Sequence, residues 1–279
     1  MNERVNNAPN SPQSVNAQSP QSEELPDTQA SEAGVSSLWR PALWQVPNTE
    51  ALQHSEELQR LSRTLEQRLV SIAERFETVK LASSLAVEDM VLTDCIAKLK
   101  LPIQIFTLNT GMLNAETVAL IEQVHAHWQI HLQQYTPDPA AVEQYIQAHG
   151  KYAFYESVDL RRECCRIRKI EPLNRALQHA DAWLTGQRRE QSVTRTELAF
   201  EEFDKGHQIA KFNPLFDWSE AAVWAYVQTH DLPINHLYYQ GYPSIGCEPC
   251  TRPVKLHEDI RAGRWWWENQ DTKECGLHR

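Results

Sequence analysis

The chain has 279 residues, 41% hydrophobic and 23% charged, which is ordinary globular usage with room for one large domain or two small ones. Its formal net charge is −10, from 27 basic and 37 acidic side chains, and this argues against a general nucleic-acid binder. No run of about 18 apolar residues suggests a membrane span, and the polar start lacks the apolar stretch of a secretory signal. A cytoplasmic location is therefore expected. There, the six cysteines are expected to be reduced thiols, metal ligands or nucleophiles rather than disulfides.

Residues 1–37 are an outlier, since Ser, Asn, Gln and Pro supply 20 of the 37. They bury too little apolar surface to offset ordering entropy and read as a disordered tail. Residues 38–279 read as a single domain, with 240–279 as an irregular segment. Leu58, Leu61, Leu65, Leu69, Ile72 and Phe76 recur at helical spacing. Val79–Ser83 then reads as a buried strand and Glu88–Lys100 as a helix. Ile103–Leu108 is a strand, Ala115–Trp128 a helix, and Gln129–Gln134 a third strand. A helix follows near Ala141–His149, a basic helix near Leu160–Gln178, and a strand at Ala182–Thr185. Ser219 caps a helix over Glu220–His230. This alternation predicts an α/β fold with a doubly wound, mostly parallel sheet. Ligands bind such sheets at the carboxyl ends of the strands. The turns Ser83-Ser84, Asn109-Thr110-Gly111 and Gly186-Gln187-Arg188-Arg189 are the places to look. Beyond Leu232-Pro233 few regular periods remain, so something besides a core, such as a metal centre, is expected to order the chain.

The cysteines carry the strongest signal. Cys164 and Cys165 are adjacent, and Cys247-Glu248-Pro249-Cys250 is separated from Cys165 by 81 residues. Adjacent cysteines tend to point apart, which suits the separated irons of a 4Fe-4S cluster better than one tetrahedral zinc. A zinc site, and a disulfide or no site, remain the other readings of that spacing. Cys95 lies on an apolar helix face and reads as a core residue. Cys275, near the end beside Lys273 and His278, is either a reactive thiol or an incidental one.

Charge is the second signal. Residues 161–195 hold nine basic side chains against four acidic ones, which points to a bound anion, although a solvated basic helix face also explains residues 161–175. The Ser83-Ser84 turn, at a helix start, is able to cradle phosphate but lacks a glycine-rich fingerprint, and an ordinary capping turn explains it equally.

Together these residues resemble the assimilatory adenylyl-sulfate (APS) reductases of the APS/PAPS reductase family, from about residue 55 to the end. The resemblance rests on Glu163-Cys164-Cys165 with Arg168-Lys169-Ile170-Glu171-Pro172-Leu173, and on Thr185-Gly186-Gln187-Arg188-Arg189 with Gln191-Ser192. It also rests on Lys211-Phe212-Asn213-Pro214-Leu215, Ile245-Gly246-Cys247-Glu248-Pro249-Cys250, Gly263-Arg264-Trp265-Trp266-Trp267-Glu268 and Glu274-Cys275-Gly276-Leu277-His278. It implies an adenine-nucleotide α-hydrolase-like fold and a 4Fe-4S cluster on Cys164, Cys165, Cys247 and Cys250. The implied reaction reduces APS to sulfite and AMP, with thioredoxin as a separate electron donor and Cys275 as the nucleophile. Ser83, Ser84, Arg168, Lys169, Gly186, Arg188, Arg189, Arg261, Arg264 and His278 are the implied substrate-binding residues, and a homo-oligomer is compatible with the pattern.

Two positions depart from the family pattern. Asn109-Thr110-Gly111-Met112 stands where Asp-Thr-Gly-Arg is frequent, with Arg166 as the expected substitute for that arginine. Leu85-Ala86-Val87 stands where glycine is common. Competing readings are a 3′-phospho-APS (PAPS) reductase, an ATP-pyrophosphatase-type tRNA thiolase, and a non-catalytic zinc or redox-sensing module.

Overall fold

The computed structural model describes residues 41–191 and 197–269. The expected tail, Ser192, Arg195, Cys275 and His278 lie outside the described residues.

Six strands form one sheet: β1 (Val79–Ala82), β2 (Ile103–Leu108), β3 (Gln133–Tyr135), β4 (Ala182–Leu184), β5 (Glu201–Asp204) and β6 (Ile209–Phe212). Their spatial order is β3-β2-β1-β4-β6-β5. All neighbours are parallel except β5 and β6, which pair antiparallel as Glu201↔Phe212 through Asp204↔Ile209. Between β1 and β4 the chain reverses its direction of travel across the sheet, and this opens a crevice at the carboxyl ends. The expected doubly wound sheet is present. Strand β5, with the sequence Glu-Glu-Phe-Asp, carries no apolar period and was not among the expected strands.

Helices α1 (Glu56–Arg75), α2 (Val87–Leu99) and α3 (Ala115–Trp128) precede α4 (Pro139–His149), α5 (Val158–Cys165), α6 (Glu171–Ala176) and α7 (Glu220–Thr229). Helix α1 is amphipathic and buries Leu58, Leu61, Leu65, Leu69 and Ile72, with Ser55 Oγ accepting from the Leu58 amide. Helices α2 and α7 are buried nearly all round because they lie under α1, and Leu120, Ile121 and Val124 of α3 join the same core. Ser219 caps α7 as expected, accepting from the Ala222 amide at 3.1 Å. On the other sheet face, Leu173, Ala176 and Leu177 pack on Phe106 and Trp183. Among the described residues no helix is long and apolar enough to cross a membrane.

The basic helix expected over Leu160–Gln178 is present from Val158 to Ala176, but it is not a regular α-helix throughout. A π-helical segment, Arg166–Ile170, separates α5 from α6, and the Glu171 amide donates to the Arg166 carbonyl. Pro172 has no N–H to give the Arg168 carbonyl, and its ring clashes with a regular helical turn, so the extra residue is taken up ahead of it.

The irregular segment after α7 is held largely by backbone bridges. Leu113 pairs with Cys247, Thr251 with Arg264, and Leu43 with Lys255. The Trp265 amide donates to the Cys250 carbonyl, and the Trp265 ring is buried. Arg161 anchors the far end through a buried two-pronged ion pair with Glu268, at 2.8 Å on each arm. A metal centre is thus not the sole ordering element.

Candidate active site

A cleft of about 710 Å³ opens at the carboxyl ends of the strands. Ser83 and Ser84 follow β1 and line it. Ser84 is committed to Asp89, whose Oδ2 accepts from the Ser84 amide at 2.7 Å and from its hydroxyl at 2.8 Å. Ser83 Oγ accepts from the Leu85 amide, a bond that does not use the hydroxyl's own proton. Leu85 sits at φ 63°, the left-handed region that favours glycine, so the departure noted in the sequence is accommodated by a strained leucine that is 2% exposed. No side chain caps α2, and its first residues, Val87, Glu88 and Asp89, line the cleft; the Val87 amide donates to the Tyr238 hydroxyl at 2.9 Å.

The turn after β4 supplies Thr185, Gly186, Gln187 and Arg188. A Cβ on Gly186 would lie 2.5 Å from Asp89 Oδ1, so glycine is required where β4 and α2 meet. Burial pushes the Asp89 carboxyl up to about 7, against the two Ser84 donors that pull it down. Arg188 is buried in an ion pair with Glu88 at 2.8 Å, so its charge is neutralised within the wall of the cleft. Arg189 turns away: its Nε donates to the Leu198 carbonyl and its guanidinium lies over Phe216. The two arginines expected together on the anion are therefore separated, because the buried Glu88 demands one of them. Gln187 Oε1 is buried with no partner among the described residues.

Opposite lies a basic wall of Lys169, Arg261 and Arg264. The Arg264 guanidinium packs on Gly246, where a Cβ would come within 2.4 Å of Nη2. Its Nη1 donates to the Ile245 carbonyl at 3.1 Å, and its buried Nε has no partner among the described residues.

A smaller pocket adjoins the cleft and is lined by Cys164, Cys165, Cys247 and Cys250. Cys164 and Cys165 end α5, and Cys247 and Cys250 bracket a short 3₁₀ turn, Glu248–Cys250. Lys169 and Cys247 line both spaces. Arg168 does not reach the cleft. It lines the cysteine pocket, donates to the Thr110 carbonyl at 2.8 Å and bonds Cys164. Its Nη1 lies 3.4 Å from where a Gly111 Cβ would be. Arg166, the expected substitute for the missing arginine, instead pairs with Glu163 on the surface at 2.8 Å, and Arg168 occupies the space over Gly111. Thr110 Oγ1 lies 3.3 Å from Cys247 Sγ. Burial raises the Cys164 thiol, and burial with the neighbouring Cys247 pushes Cys250 up to about 12. Three buried sulfurs and the half-buried Cys250, beside two buried guanidinia, Arg161 and Arg168, form a donor set suited to a group that displaces thiol protons and carries net negative charge. Among the described residues no three His, Cys, Asp or Glu side chains are set to hold a single metal ion. Cys95, as expected, is a core residue, 3.3 Å from the Tyr226 hydroxyl.

Much of the basic surplus is consumed locally. Arg161, Arg166 and Arg175 pair with Glu268, Glu163 and Glu171, so Lys169 is the member of 161–175 that faces the cleft. Sequence reasoning pointed to the turn that carries Thr110 but missed Asp89 and Glu88 as organisers of the site. The acidic pair directly after a serine turn was the available signal.

The sequence matches the phosphoadenosine phosphosulfate reductase domain over residues 78–253. The chain belongs to that family. Relatives named adenosine 5′-phosphosulfate reductase include one from Neisseria meningitidis serogroup B, 55% identical over 87% of this chain and 98% of its own length. Another, from Burkholderia cepacia, is 59% identical over 75% of this chain and 84% of its own length. A crystal structure of phosphoadenylyl-sulfate reductase from Candida auris, a phosphate complex, superposes with a TM-score of 0.59 at 28% identity, covering 71% of this chain and 98% of that one. An FMN adenylyltransferase from Candida glabrata, at 15% identity and a TM-score of 0.50, shares the fold alone.

Proposed function

We propose that the chain reduces adenylyl sulfate to sulfite and AMP in sulfate assimilation, as its relatives' names indicate for them. The carrying observation is the shared wall of the two spaces. Lys169 and Cys247 line both, so a nucleotide anion in the cleft lies beside the four cysteines. The nucleoside fits the carboxyl-end crevice. The phosphate fits the Ser83 turn and the amides of α2, and the sulfate fits Lys169, Arg261 and Arg264. The unpartnered Arg264 Nε and Gln187 Oε1 are polar atoms that a bound nucleotide would satisfy.

The nucleophile in this reading is Cys275. Its thiolate attacks the sulfur of APS, the bond from sulfur to the bridging oxygen breaks, and AMP leaves with the electron pair. The enzyme then carries Cys–S–SO₃⁻. A reduced thioredoxin thiol attacks the Cys275 sulfur and sulfite departs. The second donor thiol resolves the mixed disulfide and returns Cys275 as a thiol. The basic wall offsets the repulsion between thiolate and anion and stabilises charge developing on the bridging oxygen. A 4Fe-4S cluster on Cys164, Cys165, Cys247 and Cys250 would supply a fixed electrostatic neighbour to the sulfate end. Lys169, at the boundary, positions the substrate beside it, while Arg161 and Arg168 balance the charge of the thiolates.

The test uses anaerobically purified chain with an iron and labile-sulfide count, then APS or PAPS at equal concentration with reduced thioredoxin. The reading expects about four iron and four sulfide per chain and faster sulfite release from APS. One zinc per chain would remove the cluster. Preference for PAPS would change the substrate, and AMP formation only from ATP with tRNA would replace the reading altogether.

A further inference from the structure

A ladder of aromatic rings runs from Phe154, in the lining of the cysteine pocket, out to the surface. Tyr152 packs against Phe154 at 6.0 Å, Phe154 against Tyr155 at 4.7 Å, Tyr155 against Trp267 at 4.4 Å, and Trp267 against Trp266 at 4.8 Å. Its inner members are fixed. Phe154 is buried and lines the cysteine pocket, and the Tyr155 hydroxyl donates to the Pro249 carbonyl at 2.6 Å. Its outer members stand in solvent: Tyr152, Tyr155 and Trp266 are 54%, 40% and 38% exposed. Rings already held in place lose little entropy on contact, and aromatic side chains are the residues that dominate interface energetics. The Lys151 ammonium over Tyr152, at 5.3 Å, gives the ladder a cationic edge.

Where the chain runs next narrows the occupant. The described residues end at Asn269, two positions beyond Trp267, and Cys275 follows six residues later. Six extended residues span at most about 20 Å. Any protein that brings a thiol to the Cys275 sulfur must therefore sit within about that reach of Asn269, and the ladder is an exposed apolar surface next to it. We propose that the Tyr152–Tyr155–Trp266 ladder docks the protein dithiol that reduces the Cys275 S-sulfo intermediate. The proposal rests on the reading of the cleft given above. The partner it fits carries a redox cysteine pair inside an uncharged, apolar rim, which covers the rings while its attacking thiol meets the tail. The chemistry balances: the dithiol loses two electrons to become a disulfide, sulfur leaves as sulfite with the electron pair of the broken S–S bond, and Cys275 is restored.

Two variants, Tyr152→Ala and Trp266→Ala, test this beside the parent chain. Each is first converted to the S-sulfo form with APS alone. Sulfite release is then followed against rising concentrations of reduced thioredoxin and, separately, against dithiothreitol. The expected result is a fall of about tenfold or more in the second-order rate with thioredoxin. Adduct formation and the dithiothreitol rate should stay within about twofold of the parent. Unchanged thioredoxin rates in both variants overturn the proposal, as does an equal fall with dithiothreitol. A parent dimer in sedimentation that both variants dissociate, with thioredoxin rates unchanged, assigns the ladder to a second copy of the chain instead. A parent chain that forms no adduct overturns the reading of the cleft and removes the proposal with it.

Discussion

Gly246 sets the basic wall by having no side chain. The Arg264 guanidinium lies where a methyl group would be, and backbone carbonyl and ring contacts hold it there. Gly246→Ala should push Arg264 off its seat and raise KM for the nucleotide by about tenfold, the scale of one lost charge-assisted hydrogen bond. Steady-state kinetics with APS measures this, and a KM equal to the parent's contradicts it. Asp89 carries a pH signature. The folded chain holds its carboxyl proton up to about pH 7, whereas the unfolded chain releases it near the ordinary value of 3.8. The native state therefore binds more protons in that window, and this contribution to stability is full at low pH and lost as pH rises from about 4 to about 7. Asp89→Asn should remove that component. Urea midpoints of parent and variant across the window should diverge in slope, and parallel profiles would contradict the assignment. Ser83, Lys169, Arg264 and the four cysteines were legible as residues that line the two spaces, because their motifs are short and chemically distinctive. The fates of Arg188 and Arg189 were not, because only the fold shows that Glu88 takes one of them and Phe216 the other.

At the scale of elements, the π-helical segment decides which cation faces which space. Arg168 enters the cysteine pocket, while its neighbour Lys169 reaches the boundary with the cleft. Pro172→Ala would give the Arg168 carbonyl its usual donor and favour a regular helix, rotating Lys169 relative to the sulfurs. Turnover should fall about tenfold or more, because small misplacements of the cation proposed to position the substrate are costly. The thermal midpoint should change little, since removing a helix-interior proline relieves strain. Parent-like turnover would show that the π segment is incidental. The long helices and the buried strands were readable because their apolar periods are clean, and β2 and α3 have the bounds expected of them, whereas the third strand, expected at Gln129–Gln134, lies at the polar Gln133–Tyr135 because Gln129 ends α3. Strand β5 was not readable, because an edge hairpin with one solvated face needs no apolar run. Nor was the π segment of the basic helix, since Pro172, well inside the expected Leu160–Gln178, signals a disturbed turn but not its form.

Across the whole molecule, the switch point between β1 and β4 makes the cleft, and the segment after α7 folds back to close one side of it with Arg261, Arg264 and Cys247. Residues more than eighty positions apart thereby line one cysteine pocket. The net charge of −10 hid this arrangement, because most of the local arginine surplus is cancelled by Glu88, Glu163, Glu171 and Glu268, leaving a compact basic wall beside the sulfurs. Such a wall suits a small dianion held next to a thiol nucleophile, and the most direct measurement is the mass of the chain after that encounter. Anaerobic protein is incubated with APS and no reductant, then analysed intact and by peptide mapping. The account predicts one added sulfonate per chain, located on Cys275, with an equal amount of AMP released and no addition in Cys275→Ser. An unmodified chain, or a sulfonate on another cysteine, would contradict it.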